Sequence, residues 1–207
     1  NSKNHIVLGG GTDYFLPIEV GGIREDGVNF VKKIKKNFHY LATKKDIDNF
    51  NYIDRKRIFG LFAEDDLERT EFEPNLLEML DFSIRESKRL LADGCKGFFI
   101  MAEGSKIDWA SHDNDYEYYL KEMQEFEKTV KKALNYAQKN NDTLVIVTAD
   151  HETGGLLIEQ DDARYRETGN MKISWNTAVG RGVHTGIMVP VFAQGPGAEN
   201  FSGVMDN

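Results

Sequence analysis

The sequence predicts an α/β protein, a three-layer α/β/α sandwich in which helices cover both faces of a sheet. Short apolar runs typical of buried strands alternate along the chain with longer segments whose apolar residues recur at helical spacing. Hydrophobic residues make up 40% and charged residues 29% of the 207 positions, which is typical of a globular protein. No apolar run reaches the roughly 18 residues that a membrane span requires, so we expect no membrane partner.

The elements predicted for the first half of the chain begin with a strand at 5–8 that ends in three glycines. They continue with a helix at 27–37, strands at 38–42 and 57–63, a helix from Pro74 and a buried strand at 97–102. Proline suits the first turn of a helix, because the N–H groups of that turn have no hydrogen-bond partner within the helix. The apolar face of this helix is formed by Leu77, Leu80, Ile84 and Leu91.

The second half is predicted to contain one long helix and two further strands. The helix is predicted at 112–139, because apolar residues recur there at helical spacing. Acids crowd its start and lysines its end, which complements the helix dipole. Strands are predicted at 143–148 and 188–193, and a variable stretch is expected around 160–169.

Acidic residues and histidines gather in three separate segments, 103–112, 148–155 and 182–186, which contain three of the five histidines. Asp108 and His112 are four residues apart and would share one face of a helix. Glu103 and the pair Asp150-His151 each follow a predicted strand, and ligands collect at the carboxyl ends of strands in α/β sheets. Carboxylates and neutral imidazoles suit zinc, so the sequence predicts a metal site assembled from these segments.

Each of these residues has an ordinary structural alternative. An Asp-His pair after a strand is commonly a turn or a helix cap. Asp108 and His112 taken alone could form a solvated helix face, His184 an ordinary loop residue, and Glu103 a solvated acid at a strand end. The combination of all three segments favours the metal site over these separate readings.

The three segments together resemble the alkaline phosphatases. The similarity rests on Glu-Gly-Ser-Lys-Ile-Asp-Trp-Ala-Ser-His at 103–112, Thr-Ala-Asp-His-Glu-Thr-Gly-Gly at 148–155 and His-Thr-Gly at 184–186. It extends to Val-Leu-Gly-Gly-Gly at 7–11 and to the run at 189–198, so it covers almost the whole chain in the family's order. Three motifs in order are far more specific than any one of them.

The resemblance implies a role for six side chains as ligands of two zinc ions and one magnesium ion. The implied ligands are Asp108, His112 and His184 for the first zinc, Asp150 and His151 for the second, and Glu103 for magnesium. In the family, two zinc ions about 4 Å apart clamp the attacking and leaving oxygens of an in-line displacement. Trp109 occupies a position near the magnesium site where family members vary among Lys, His and Trp, and its alternative role is a packed aromatic.

The family's serine nucleophile is missing from this sequence. That serine follows an aspartate, and no Asp-Ser pair occurs in the 207 residues. The family's phosphate-clamping arginine and magnesium-binding threonine also lie upstream of the matched region. We therefore expect residues 1–207 to be the C-terminal part of a single alkaline-phosphatase-like α/β domain, without catalytic residues of its own and inactive alone.

The resemblance implies that the intact parent hydrolyses phosphate monoesters, forms a homodimer and works in the periplasm or outside the cell. The alternatives are a related metallohydrolase, such as a phosphodiesterase or phosphomutase, and a catalytically silent metal-binding module. A net charge of −8 and the lack of a basic stripe argue against nucleic acid as a partner. The single cysteine, Cys95, excludes an internal disulfide.

Overall fold

The structure, a computed structural model, describes residues 5–51, 54, 56–68, 70–160, 171–178 and 182–206. The chain divides into two units, Asn1–Met101 and Ala102–Asn207. The assignment of residues 1–207 to one domain stays a prediction. No helix in the described ranges has both the length and the apolar character that crossing a membrane requires.

A three-stranded parallel sheet forms the first unit's scaffold. Its strands are β1 (Ile6–Gly9), β2 (Phe38–Leu41) and β3 (Arg57–Leu61), in the order β1-β3-β2. Parallel neighbours require crossover connections, which contain α1 (Phe30–Asn37) between β1 and β2 and α2 (Lys44–Asp48) between β2 and β3. The α/β class predicted from the sequence is confirmed.

The helix α3 (Leu76–Ala92) starts within two residues of the predicted position. Asn75 accepts a hydrogen bond from the Glu78 amide, and the Glu78 side chain accepts one from the Asn75 amide, which forms a capping box. Its residue Phe82 is only 1% exposed. Phe82 packs in the core of the unit with Leu41, Ile47, Ile58 and Phe62.

The long helix predicted from about 112 to 139 forms and ends at Lys139, but its predicted start is four residues too early. The helix α4 (Lys106–His112) ends at His112, and α5 (Tyr116–Lys139) begins four residues later. Asn114 adopts a left-handed conformation with φ of 52°, which interrupts the helical path. Asp115 then caps α5 by accepting a hydrogen bond from the Tyr118 amide. His112 therefore lies at the end of the helix that also carries Asp108.

The described strands of the second unit form three antiparallel pairs. The pairs are β4 (Val145–Val147) with β9 (Phe192–Gln194), β5 (Glu152–Thr153) with β8 (His184–Thr185), and β6 (Leu156–Gln160) with β7 (Met171–Trp175). The strand predicted at 143–148 forms at its central residues, 145–147. The strand predicted at 188–193 begins later, at Phe192, and is only three residues long. Of the stretch predicted to be variable, all but Gln160 lies outside the described residues.

The buried strand predicted at 97–102 does not form among the described residues. Residues 97–102 have no helical or strand assignment, and Phe99 and Met101 are 91% and 80% exposed. A strand requires a neighbour for its backbone hydrogen bonds, and no described segment pairs with this one. The run is apolar, but the burial that an apolar run usually indicates is missing.

Candidate metal centre

The helix α4 provides the first two side chains of the candidate metal centre. Its residues Ala110 and Ser111 are 0% and 3% exposed, so the opposite side of the helix is anchored in the protein. Asp108 and His112 lie one turn apart on the remaining face, as the spacing predicted. The His112 Nε2 atom is 3.3 Å from the Asp108 Oδ2 atom.

The short antiparallel pair of β5 and β8 brings the third side chain to Asp108 and His112. Thr153 lies opposite His184 in its register, and the Gly154 amide donates to the Val183 carbonyl at 2.9 Å. The His184 Nε2 atom is 3.1 Å from the His112 Nε2 atom and 3.4 Å from Asp108 Oδ1. One ligand atom from each of Asp108, His112 and His184 lies within 4.8 Å of the others. This donor set suits zinc and leaves a fourth coordination position open.

Gly182 determines which nitrogen of His112 faces the centre. The His112 Nδ1–H group donates to the Gly182 carbonyl at 2.5 Å, and the Gly182 amide donates to the His112 carbonyl at 3.3 Å. In the neutral ring the Nε2 atom then carries the lone pair that a metal needs. A Cβ atom at position 182 would lie 2.6 Å from the His112 Cα, so this close approach requires glycine.

Asp150 and His151 lie beside the group formed by Asp108, His112 and His184. The His151 ring stacks on the His184 ring with centroids 3.5 Å apart. Its Nε2 atom is 3.3 Å from Asp150 Oδ2, and the Asp150 side chain is 86% exposed. The structure thus brings five of the six predicted ligands into one neighbourhood, two of them as a pair that needs further ligands.

Glu103 and Trp109 are less closely tied to this geometry. Glu103 is exposed and belongs to no metal-ligand group within the described part of the chain. Trp109 is 44% exposed, and the Lys106 ammonium group lies 5.7 Å from the centre of its ring. A cation above an indole face is favourable, so Trp109 is a half-exposed aromatic with a charged neighbour.

Glu152 supports the β5–β8 pair, and the sequence analysis assigned it no role. Its carboxylate accepts hydrogen bonds from the Gly155 and Leu156 amides at 3.1 and 2.8 Å and from the Thr185 hydroxyl. Burial by itself raises the pKa of the Glu152 carboxyl, but these hydrogen bonds lower the pKa below its ordinary value. Because the carboxylate joins β5 to β8, it holds His184 in place. The signal was the glutamate within the Asp-His-Glu-Thr-Gly-Gly motif.

Comparison with known proteins agrees with the motifs. The family model described as alkaline phosphatase matches residues 1–172. Alkaline phosphatase 3 of Bacillus subtilis (strain 168) is 39% identical over 165 residues, covering 77% of this chain and 32% of the relative. Alkaline phosphatase 4 of the same organism is 30% identical, covering 99% of this chain and 55% of the relative.

A solved structure extends the similarity to the fold. Alkaline phosphatase from the Antarctic bacterium TAB5 superposes with a TM-score of 0.75 at 32% identity, covering 95% of this chain and 55% of that one. A mutant of the TAB5 enzyme, with magnesium bound in its M3 site, superposes with a TM-score of 0.70. The chain belongs to the alkaline phosphatase family, and it spans between about a third and just over half the length of these relatives.

Proposed function

We propose that this chain supplies the zinc-binding part of an enzyme that hydrolyses phosphate monoesters. The observation that carries the proposal is the convergence of Asp108, His112 and His184 at the end of α4. Three protein ligands with an open fourth position are typical of catalytic zinc, whereas structural zinc is closed by four. Asp150 and His151 are proposed as ligands of the second zinc and Glu103 as a magnesium ligand.

Each of these side chains has a definable task. When bound, a pair of zinc ions activates the attacking oxygen and stabilises the leaving oxygen of an in-line displacement. His112 presents its Nε2 atom because its Nδ1–H group is held by the Gly182 carbonyl. Asp108 lies between the three histidines, with its carboxylate oxygens 3.3 to 4.0 Å from their nearest ring nitrogens. It is therefore placed to offset positive charge in the centre.

We propose that the nucleophile, the phosphate-clamping arginine and the remaining metal ligands lie in the part of the family fold that this chain does not span. The absence of an Asp-Ser pair supports this division. Exposed apolar side chains support it too, since Phe99 and Met101 in one unit and Met188 and Phe192 in the other are 64% to 91% exposed. We propose that the N-terminal half of the same protein covers these side chains. Homodimerisation and a periplasmic or extracellular location stay predictions.

A calorimetric titration with zinc tests the centre directly. We expect one site tighter than any other, lost in His184→Ala and retained in His5→Ala, whose exposed side chain lies outside the group. Unchanged tight binding in His184→Ala would remove His184 from the ligand set. A catalytically silent metal-binding module is the second candidate function, favoured by the missing Asp-Ser pair.

An assay of the isolated chain with a generic phosphate monoester, zinc and magnesium at alkaline pH separates the two questions of binding and turnover. We expect zinc binding without turnover. Turnover on the order of 10 per second, ordinary for an enzyme, would contradict the proposed division of the site between two parts. Adding the separately produced N-terminal half of a family member tests whether the same chain then contributes to activity.

A further inference from the structure

We propose that Thr153 is a positioning residue that connects the two proposed zinc sites through its hydroxyl group. The hydroxyl donates a short hydrogen bond to Asp108 Oδ1 and lies 3.2 Å from His151 Nδ1. Asp108 belongs to the first proposed site and His151 to the second. This inference rests on the proposed function, because the positioning matters only if both side chains bind metal.

Thr153 is rigidly held where this contact forms. It is 7% exposed and lies opposite His184 in the β5–β8 pair. The next residue, Gly154, has a φ of +83°, and an added Cβ there would lie 2.7 Å from the Trp175 ring. The Thr177 hydroxyl also donates to the Gly154 carbonyl at 3.2 Å. A side chain anchored in this way can hold its partners in one orientation.

The Thr153 hydroxyl group has one proton, and the acceptor of that proton determines which tautomer of the neutral His151 ring fits the contact. A carboxylate only accepts hydrogen bonds, so the hydroxyl proton of Thr153 is directed to Asp108. The Thr153 oxygen can then only accept from His151, which requires the proton of the neutral ring on Nδ1. The Nε2 atom is then left with the lone pair, and the exposed Asp150 carboxylate, whose Oδ2 atom lies 3.3 Å away, is the competing acceptor that the Thr153 contact must outweigh. Thr153 therefore selects the tautomer in which His151 can bind metal beside Asp150.

The same hydrogen bond also orients the Asp108 carboxylate. Its Oδ1 atom accepts from Thr153 and lies 3.4 Å from His184 Nε2, while Oδ2 lies 3.3 Å from His112 Nε2. Fixing Oδ1 fixes the rotation of the whole group and directs one oxygen toward each histidine. Removal of the hydroxyl is thus expected to weaken both sites together, whereas loss of an ordinary ligand weakens its own site most.

Nitrogen NMR of the metal-free chain tests the tautomer independently of zinc. Two-bond ¹⁵N–¹H spectra at alkaline pH, assigned with a His151→Gln variant, should place the His151 proton on Nδ1 in the wild type. Thr153→Val keeps the shape of the side chain without the hydroxyl, and it should lose this preference. Thr153→Ser should keep it, and so should the matched control Thr177→Val, whose hydroxyl contacts the same turn and no proposed ligand.

Metal titration gives the second measurement. Thr153→Val should lower zinc affinity about tenfold to a hundredfold at both sites, Thr153→Ser should restore it, and Thr177→Val should leave it unchanged. A neutral His151 protonated on Nε2 in the wild type overturns the proposal even if Thr153→Val fails to fold. A loss in Thr153→Ser as large as that in Thr153→Val overturns it as well, because serine keeps the hydroxyl group and the loss would then not depend on it. Normal zinc binding with the wrong tautomer rejects this inference alone, whereas absent zinc binding rejects the proposed function.

Discussion

In the unit Asn1–Met101, large apolar side chains such as Ile58, Phe62 and Phe82 are buried around a parallel sheet. In the described residues of the unit Ala102–Asn207, the apolar side chains buried to the same degree belong to two alanines, Ala110 and Ala137. Among the described residues its strands form pairs, and side-chain hydrogen bonds of Thr153 and Thr185 support the β5–β8 pair that carries His184. Burial of large apolar side chains therefore contributes more to the first unit, and hydrogen bonds around a cluster of acids and histidines are the clearer contribution in the second.

The largest effect is expected from the core of the first unit. Phe82→Ala should lower the free energy of unfolding by about 3–5 kcal/mol, because it removes a fully buried aromatic ring and leaves a cavity. Denaturant unfolding measures the loss. The control Phe99→Ala removes the same side chain at a position that is 91% exposed and should stay within about 0.5 kcal/mol of wild type. Similar losses in both variants would refute the contrast in burial.

Zinc is expected to stabilise the second unit more than the first. A metal that binds only the folded chain adds about 2.7 kcal/mol when its free concentration is 100 times the dissociation constant. Melting curves with zinc and with chelator measure the gain, and amide hydrogen exchange should locate the added protection in Ala102–Asn207. The gain should shrink in acid, because protons compete with zinc for histidine and aspartate. Superimposable melting curves at neutral pH would mean that the cluster binds no zinc in this chain.

A substitution of Gly182 tests how closely the segment before β8 approaches α4. Gly182→Ala should cost about 1–3 kcal/mol and lower zinc affinity, because the new methyl group would lie 2.6 Å from the His112 Cα. Gly186→Ala is the matched control, since nothing lies within 4 Å of a Cβ there. Thermal unfolding and zinc titration of the pair measure both effects. A Gly182→Ala variant indistinguishable from Gly186→Ala would argue against this packing.

The smallest effect is expected from the cap of α3. Asn75→Ala should lower the stability of the first unit by about 1 kcal/mol, because the Glu78 amide loses its acceptor. Lys88→Ala, at an exposed position of the same helix, should be nearly neutral. Denaturant midpoints for both variants check this. A larger loss from Lys88→Ala would show that α3 is stabilised by surface contacts more than by its cap.

Much of the candidate site could be predicted because its information is local. The spacing of Asp108 and His112 places them on one helical face whatever the rest of the chain does, and the structure has them there. The motif order at 103–112, 148–155 and 182–186 was also enough to predict the family, which the comparisons confirm. The assignment of each residue to a particular metal stays a prediction.

Element boundaries were less predictable where two local signals compete. The run at 112–139 has helical spacing throughout, yet the helix begins at Tyr116 because Asn114 turns left-handed and Asp115 caps the new start. The apolar run at 97–102 has the composition of a strand but is paired with no strand among the described residues. Composition reports the burial that a segment favours, and it does not report whether a neighbour is present.

The sequence by itself determined the α/β class, the family and the residue types of the candidate metal centre, because these depend on periodicity and on motifs of a few residues. Only the tertiary structure decided that His184, far along the chain, meets His112 with nitrogens 3.1 Å apart. It also decided that Thr153 lies between Asp108 and His151. Such contacts depend on the register of the β5–β8 pair and on a glycine that permits close approach. A shift of one residue in this register would turn these side chains to the opposite face.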